Sequence, residues 1–266
     1  MSHTLRYTVN CSLLFTELPV TERPAAARAA GFDAVEFWWP FDRAVPGDAE
    51  VDAFVTAIAD AGVHLTGLNF FAGALPGPDR GVLSQPARAS EFRDNVDVVV
   101  GIAERTGTTG FNALYGRRLP GTDPAEQDRT ALENTVAAAR AVAAVDGTVL
   151  IEPISGADDY PLTTAADGLR FVAAAHAAGA PNVALLADLY HLAVNGEDVA
   201  AVVRDHAADF GHVQIADAPG RGEPGTGELP IDDLLTAAQA GGYTGLVGLE
   251  YNPTVPSAES LRGVRR

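Results

Sequence analysis

Residues 148–188 read TVLIEPISGADDYPLTTAADGLRFVAAAHAAGAPNVALLAD, in which two apolar runs enclose an alanine-rich stretch. The runs at 149–151 and 183–186 lack polar alternation, which is typical of strands in a parallel sheet covered on both faces. The stretch at 164–178 has helical periodicity and is closed by Gly179. These residues therefore predict a strand, a helix and a second strand of an α/β fold.

The same unit repeats along the chain. Eight strands are predicted, at residues 6–10, 33–38, 63–70, 109–114, 148–153, 183–188, 211–216 and 245–251. Seven are followed by predicted helices, at residues 19–31, 48–62, 90–107, 124–145, 164–178, 199–207 and 231–241, and the eighth is followed by a short terminal segment at 256–263. Eight such units favour a closed barrel over an open doubly wound sheet. The open sheet is the alternative, but its dinucleotide-binding fingerprint is missing, since no G-x-G-x-x-G follows the first strand. The sequence predicts one (β/α)8 TIM barrel domain over residues 1–266.

Composition and charge exclude several classes of protein. The 266 residues are 47% hydrophobic and 20% charged, which is ordinary for a globular enzyme. A net charge of −17 repels polyanions, so nucleic acid is not expected as a partner. Residues 1–7 show no leader and no apolar run approaches about 18 residues, so we expect no membrane partner and a cytoplasmic protein. The one cysteine, Cys11, is expected to fill apolar space.

Four side chains with ligand oxygens stand at the C-terminal ends of predicted strands five to eight: Glu152, Asp188, Gln214 and Glu250. A single glutamate after an apolar strand is often a loop residue that reaches water, so no one of them is decisive. Together they would meet at the barrel mouth, where barrel enzymes carry out their chemistry. Three carboxylates there would repel one another, and a divalent cation removes that repulsion. An all-oxygen set favours Mg²⁺ or Mn²⁺ over Zn²⁺.

Short motifs follow one another along nearly the whole chain. They are NCSLLF at 10–15, GFDAVEF at 31–37, IEPI at 151–154, DLYH at 188–191, HVQIAD at 212–217, RGEPGTGE at 221–228 and GLEY at 248–251. In this order they resemble the hydroxypyruvate isomerase family, within the xylose isomerase-like barrels that also include sugar 3-epimerases and endonuclease IV. The loop at 221–228 is the most specific of these motifs.

The resemblance implies a metal bound by Glu152, Asp188, Gln214 and Glu250, with the two glutamates as proton donor and acceptor. It implies an intramolecular oxidoreductase of glyoxylate metabolism that interconverts two small hydroxy-oxo acids, hydroxypyruvate and tartronate semialdehyde. The reaction would pass through an enediolate whose negative charge the metal stabilises. Family members often carry Asn where this chain has Ser155, so a polar contact beside that residue is expected to differ.

Further polar residues are candidates for binding the substrate. His191, three residues after Asp188, is expected to hydrogen-bond the reacting oxygen. Arg221, in the glycine-rich loop after strand seven, is expected to grip the substrate carboxylate, because an acidic chain needs a local cation for an anionic substrate. Asn69 and Asn112 fall near strand ends and are expected to line the pocket. A loop histidine, a surface arginine and ordinary packing are the alternative interpretations.

Other features of the mouth stay open at this stage. Asn10, Glu36 and His64 also fall near strand ends, and pocket lining and core packing are equally supported for each. The glycines around Arg221 permit a tight loop, and a mobile lid is one interpretation of it. Barrel helices offer apolar faces for packing and for association alike, so a homo-oligomer is left open.

Several rival functions share the predicted fold. A 2-oxotetronate isomerase would use the same metal and glutamates. A ketose epimerase is disfavoured because such relatives tend to carry His where this chain has Gln214, and a polyol dehydratase is a different reaction on the same scaffold. A nuclease of the endonuclease IV type would need several metal ions, many histidines and a basic face, against the six histidines and acidic charge here. A non-catalytic binding module would not need two carboxylates beside a metal.

Overall fold

The computed structural model describes residues 3–75 and 77–264. Eight parallel strands close into one barrel in chain order: β1 Tyr7–Asn10, β2 Ala34–Phe37, β3 His64–Asn69, β4 Gly110–Asn112, β5 Thr148–Ile151, β6 Val183–Asp188, β7 Phe210–Ile215 and β8 Val247–Leu249. Strand β8 closes the ring by pairing with β1, where Gly248 is in register with Thr8. The predicted TIM barrel is confirmed. The predicted absence of a leader in residues 1–7 falls partly outside the described residues.

Helices surround the barrel. Within the described ranges they are α1 Arg23–Ala29, α2 Asp48–Ala61, α3 Ala89–Thr106, α4 Pro124–Val142, α5 Ala165–Ala177, α6 Leu189–Val194, α7 Val199–His206, α8 Ile231–Ala240 and α9 Ser257–Ser260. The predicted helix at 19–31 is shorter as α1, because Pro24 suits only the first turn of a helix. Helix α6 is absent from the sequence prediction. It begins directly after β6, with Asp188 as its N-cap.

The core lies between the strands and the surrounding helices. Side chains such as Leu185 and Val213 are fully buried there, and Phe37 packs edge-on against Phe54 with ring centroids 5.2 Å apart. Gly168 lets α5 approach β6 closely, since a Cβ at that position would lie 2.4 Å from Leu185 Cδ1. Cys11 is buried in this core, as expected for an apolar filler.

The inside of the barrel is polar near its C-terminal mouth. Successive side chains of a strand alternate between the interior and the helix layer, so every second residue points inward. Residues of this region are buried although they are polar: Asn10, Glu36, Asn69, Asn112, Glu152, Asp188, Gln214 and Glu250. Buried polar groups need partners, and their partners identify the candidate site.

The helices also bear on the membrane question. Among the described residues, none of the helices combines the length and the apolar character that a membrane span requires. The longest, α4, has several charged residues, among them Glu126, Asp128 and Arg129.

Candidate active site

The four predicted metal ligands lie at the C-terminal mouth of the barrel. Asp188 ends β6 and is in register with Gln214 of β7, while Glu152 follows β5 directly and Glu250 follows β8. All four are buried, with exposed fractions of 4% or less. In the ring of eight strands, β5 and β8 are separated by β6 and β7. The two glutamates therefore flank Asp188 and Gln214 and approach the mouth from different sides.

The carboxylate of Asp188 is divided between two tasks. Its Oδ1 accepts hydrogen bonds from the backbone N–H groups of Tyr190 (2.9 Å) and His191 (3.3 Å) and so caps α6. Its Oδ2 is buried and has no hydrogen-bond partner among the described residues. A buried carboxylate oxygen that accepts no hydrogen bond is costly, so this atom fits a position beside a positive charge. Arg221 Nη2, 3.6 Å away, supplies part of that charge.

Glu152 is held by one oxygen and leaves the other available. Its Oε2 accepts a hydrogen bond from Asn112 Nδ2 at 2.7 Å. Burial, followed by the charge of Asp188, raises the pKa of Glu152 to about 8. A cation close by would favour the ionised form and oppose that increase. The repulsion between the Glu152 and Asp188 carboxylates thus favours a positive charge beside them.

His191 is oriented by the residue that departs from the family motif. The backbone N–H of Ser155 donates to Nδ1 at 3.0 Å, and Ser155 Oγ lies 2.7 Å from the same nitrogen. A backbone N–H can only donate, so Nδ1 is the acceptor and Nε2 carries the proton of the neutral ring. Burial lowers the pKa of His191 to about 4, which keeps the ring neutral.

This tautomer decides what His191 can do. Glu152, Asp188 and His191 offer potential ligand atoms that all lie within 4.8 Å of one another. The Nε2 atom lies 3.6 Å from Asp188 Oδ2 and 3.9 Å from Glu152 Oε1, beyond hydrogen-bond distance. A protonated Nε2 has no lone pair for a metal, so in this tautomer His191 offers the site a hydrogen-bond donor and no ligand atom.

Glu250 is surrounded by donors. Arg221 Nη2 donates to its Oε1 at 2.6 Å, and Trp38 Nε1 donates to the same oxygen at 3.3 Å. Its Oε2 accepts from Asn10 Nδ2 at 3.0 Å. Burial raises the pKa of Glu250 well above its usual value, although the Arg221 charge acts against this increase. Hydrogen bonds from Arg221, Trp38 and Asn10 thus fix the position of the Glu250 carboxylate.

Arg221 is predicted to bind the substrate carboxylate, and in the structure it contacts two carboxylates of the protein. Its Cζ lies over the Tyr190 ring, 5.4 Å from the ring centroid. Its Nη2 lies 3.6 Å from Asp188 Oδ2 and 2.6 Å from Glu250 Oε1. The backbone of Arg221 has a φ of 59°, a left-handed conformation that costs a non-glycine residue about 1–2 kcal/mol. In this arrangement Arg221 offsets part of the carboxylate charge.

The loop that carries Arg221 is extensively hydrogen-bonded. The Asp217 carboxylate accepts hydrogen bonds from the backbone N–H groups of Ala218 (2.9 Å), Gly225 (2.8 Å) and Leu229 (3.0 Å). Although burial alone would raise it, these backbone donors lower the pKa of Asp217. Glu223 adds a link to the segment after β8 by accepting from the Thr254 N–H at 2.9 Å. These contacts favour a fixed loop over the mobile lid that its glycines permit.

Gln214 carries a buried side-chain oxygen that accepts no hydrogen bond among the described residues. Its Nε2 donates to Glu36 Oε1 at 2.7 Å, which leaves Oε1 buried and, among the described residues, without a hydrogen-bond partner. Asp188 Oδ2 and Gln214 Oε1 are thus two buried oxygens that accept no hydrogen bond within the described part of the chain. Carboxylate and amide oxygens are the ligands that hard divalent cations prefer. The donor types present therefore fit a Mg²⁺ or Mn²⁺ ion. Among the described residues, Glu152 and Asp188 lie in one cluster of potential ligands together with His191, and the predicted ligand Glu250 is not part of that cluster.

A cavity of about 270 Å³ opens above these groups. Glu152, His191, Arg221, Glu250 and Asn69 line it, whereas Asp188 and Gln214 are not part of the lining. Asn112 contributes differently, because it holds Glu152 and is not part of this lining.

Sequence reasoning missed some of the cavity's residues. Arg80, from the long loop before α3, lines the cavity and brings a second guanidinium to it. Its position among Gly and Pro residues in a long loop was the available signal, since such loops often carry function. Ser155, which the sequence analysis singles out only as a departure from the family, contacts His191, and Trp38 contacts Glu250.

Comparison with known proteins shows which family the chain belongs to. A family profile described as "Xylose isomerase-like TIM barrel" matches residues 24–266. A protein of Streptomyces coelicolor, provisionally named a hydroxypyruvate isomerase, is 55% identical over 96% of this chain and 94% of its own. The hydroxypyruvate isomerase of Escherichia coli is 32% identical, with 97% of both chains covered. The 2-oxo-tetronate isomerase of Cupriavidus necator is 34% identical, with 96% of both covered.

Proposed function

The chain belongs to the hydroxypyruvate isomerase family of xylose isomerase-like TIM barrels and is an isomerase, and we propose that its reaction interconverts hydroxypyruvate and tartronate semialdehyde. Support comes from one arrangement above all. Two buried glutamates, Glu152 and Glu250, stand on either side of Asp188 and Gln214, whose buried oxygens Oδ2 and Oε1 accept no hydrogen bond among the described residues. Oxygen donors of these types fit a divalent cation. The 55% identity to the Streptomyces relative, over nearly the whole of both chains, supports the same substrate.

The proposed reaction moves hydrogen between neighbouring carbons without net oxidation. Hydroxypyruvate loses a proton from C3, the electrons of that C–H bond form a C2–C3 double bond, and the C2 carbonyl oxygen becomes an oxyanion. A proton then returns to C2, and the O3 hydroxyl proton is lost as the O2 oxyanion gains one. The aldehyde is now on C3 and the hydroxyl on C2, so atoms and electrons balance.

Glu152, Asp188, Gln214 and Glu250 would hold the cation, which supplies positive charge beside the substrate oxygens where negative charge develops. Asp188 suits ligation because its other oxygen is committed to the cap of α6. Gln214 suits it because its amide nitrogen is committed to Glu36.

The two glutamates perform the proton transfers in this proposal. One takes the proton from carbon and the other returns one, because they reach the cavity from strands on different sides of Asp188. Asn112 fixes Glu152, and Asn10 together with Trp38 fixes Glu250, so both carboxylates are oriented before substrate binds. General acid–base catalysis by such placed groups contributes about 10²–10⁴-fold to rate.

Neighbouring side chains bind the rest of the substrate. His191 donates its Nε2 proton to a substrate oxygen, as its tautomer allows. Two guanidinium groups, those of Arg80 and Arg221, line the cavity. Arg221 is engaged with Glu250, whereas Arg80 donates to the backbone carbonyls of Gly77 and Asp79. Arg80 is therefore the better placed of the two to pair with the substrate carboxylate, and Arg221 shares the task.

The test is an incubation with hydroxypyruvate in D2O, with Mg²⁺ or Mn²⁺ supplied and the products followed by NMR. The proposal predicts the aldehyde hydrate signals of tartronate semialdehyde and deuterium at the carbon next to the carbonyl. Product without any solvent deuterium would contradict proton exchange through the glutamates, and no product at all would contradict the named substrate.

A 2-oxotetronate isomerase is the second candidate, favoured by the 34% identity to the Cupriavidus protein across 96% of each chain. The same ligands and glutamates would serve a four-carbon acid. Comparing kcat/KM for hydroxypyruvate with that for 2-oxotetronates decides between them, and a higher value for the four-carbon acids would replace the first proposal.

A further inference from the structure

Glu36 is a buried carboxylate that the proposed chemistry does not use. It lies on β2, is 3% exposed, and has three hydrogen-bond partners inside the barrel. Gln214 Nε2 donates to its Oε1 at 2.7 Å, and Asn10 Nδ2 donates to the same oxygen at 3.1 Å. His212 Nε2 lies 2.8 Å from its Oε2. Burying a charge is costly unless it is fully paired, so this arrangement demands an explanation.

The barrel makes room for this side chain. Strands β2 and β7 are not neighbours, since β8 and β1 lie between them. Glu36 reaches Gln214 across β8 at Gly248, where a Cβ would lie 2.6 Å from Glu36 Oε1 and 2.7 Å from Gln214 Cγ. On the other side, a Cβ at Gly67 of β3 would lie 3.2 Å from Glu36 Cβ. Two strands thus lack side chains where Glu36 extends.

The hydrogen bonds of Glu36 determine which way two amides face. A carboxylate oxygen accepts and does not donate, so Gln214 must turn its NH2 group toward Glu36 and its Oε1 away from it. Asn10 is fixed in the same way, because its Oδ1 accepts the Ser12 N–H at 3.0 Å and its Nδ2 bridges Glu36 and Glu250. A metal binds the oxygen of an amide and not its nitrogen, so the orientation decides whether Gln214 is a ligand.

His212 in turn fixes Glu36. His212 and Gln214 are two residues apart on β7 and so point to the same side of the strand, toward the barrel interior. Facing a carboxylate oxygen at 2.8 Å, His212 Nε2 is the donor. The Glu36 carboxylate thus accepts hydrogen bonds from both His212 and Gln214 of β7, and these two bonds fix its rotation.

From this arrangement we propose that Glu36 is a positioning residue, which with His212 turns the Gln214 oxygen toward the cation and the Asn10 amide toward Glu250. The inference rests on the proposed metal site and adds to it a group that touches neither metal nor substrate. Residues that orient a metal ligand in this way typically change metal affinity by about 10–100-fold when they are lost.

The test measures Mn²⁺ binding by loss of the free-ion EPR signal on titration, without any turnover. Glu36→Gln removes the obligatory acceptor, since a glutamine can donate to Gln214 Oε1 and allow the amide to turn. Glu36→Asp keeps the charge but shortens the side chain, so its carboxylate no longer reaches Gln214. Both variants are expected to bind Mn²⁺ about 10–100-fold more weakly than the unaltered chain.

A double variant and a surface variant complete the design. The double variant Glu36→Gln/Gln214→Glu exchanges the amide and the carboxylate of the pair. The amide at position 36 then donates to the carboxylate at position 214, which offers an oxygen to the cation in either orientation. Mn²⁺ affinity should therefore recover to within a few-fold of that of the unaltered chain. Asp33→Asn removes one negative charge from the exposed pair with Arg6 and should leave affinity unchanged. Circular dichroism and thermal unfolding confirm that each variant is folded.

The outcomes separate the two proposals. If the unaltered chain binds no Mn²⁺, the proposed metal site is wrong and the role of Glu36 falls with it. If the unaltered chain binds Mn²⁺ and Glu36→Asp binds it equally well, charge alone suffices and the positioning role is wrong. A folded double variant without recovered affinity would overturn it as well.

Discussion

Replacing Gly248 by alanine adds one methyl group between the two parts of the Glu36–Gln214 pair. The new Cβ would lie 2.6 Å from Glu36 Oε1 and 2.7 Å from Gln214 Cγ. Contacts between such atoms are optimal near about 3.5–4.0 Å, so both neighbours must retreat. Neither Glu36 nor Gln214 is free to move, because they are hydrogen-bonded to each other and Glu36 is also hydrogen-bonded to Asn10 and His212. The substitution therefore tests the packing and the site together.

The expected loss of stability follows from these contacts. Forcing an extra carbon into a packed interior costs about 1–3 kcal/mol. Displacing Glu36 also weakens hydrogen bonds to a charged group, each worth about 1.5–3 kcal/mol, so the loss should fall in the upper half of the first range. For a chain of this size about 1 kcal/mol corresponds to about 2–4 °C, so the melting temperature should fall by roughly 4–12 °C.

The assay pairs urea unfolding with Mn²⁺ titration. Gly248→Ala should be less stable and bind Mn²⁺ at least about tenfold more weakly, since Gln214 is pushed aside. Gly101→Ala in α3 is the matched control, because a Cβ there meets nothing within 4 Å and alanine favours the helix by about 0.5–1 kcal/mol. A Gly248→Ala variant that matches the unaltered chain in stability and in Mn²⁺ affinity would refute the reasoning.

Three further substitutions test other parts of the account. Glu250→Gln should keep the fold by circular dichroism but lose about 10²–10⁴-fold in kcat on hydroxypyruvate, because a carboxamide cannot shuttle a proton; near-normal turnover would contradict its role. Arg80→Met should raise KM for hydroxypyruvate by more than it lowers kcat, and an unchanged KM would remove Arg80 from carboxylate binding. Because the pKa of Asp217 is lowered in the folded chain, its carboxylate stabilises the fold above the unfolded pKa of about 4, and that contribution disappears as the pH falls through the folded pKa. The free energy of unfolding of Asp217→Asn, measured in urea, should therefore be lower than that of the unaltered chain at pH 7 and approach it in acid, and an equal difference at both pH values would contradict this.

The fold could be predicted because its signal is repeated and local. Apolar runs such as 149–151 and 183–186 occur at the spacing of βα units, and eight of them leave little choice but a closed barrel. Helix α6 could not be found this way, since it is short and its cap, Asp188, also ends a strand. Periodicity over six residues is too weak to separate such a turn of helix from a loop.

The candidate site could be predicted in part for the same reason. Glu152, Asp188, Gln214 and Glu250 stand at strand ends, and parallel strands bring their ends to one mouth. What the sequence could not show is orientation: that Asp188 caps a helix with one oxygen, or that Ser155 sets the tautomer of His191.

Roles that depend on distant pairing were equally hidden. Glu36 and Gln214 are far apart in the chain and meet only because Gly248 leaves space between them. Sequence alone supports pocket and core equally for Glu36, and its three hydrogen bonds are a tertiary property. Arg221 likewise was expected at a substrate carboxylate, whereas its distance to Glu250 shows that it also balances charge within the site.

The central claim is that four side-chain oxygens share one cation, and diffraction at the Mn²⁺ absorption edge from crystals grown with Mn²⁺ tests it most directly. The account predicts one anomalous peak at the barrel mouth, within ligand distance of oxygens from Glu152, Asp188, Gln214 and Glu250, at roughly 2.0–2.3 Å. His191 Nε2 should lie outside that shell. A peak bound by His191 without Gln214, or no peak at a saturating Mn²⁺ concentration, would contradict it.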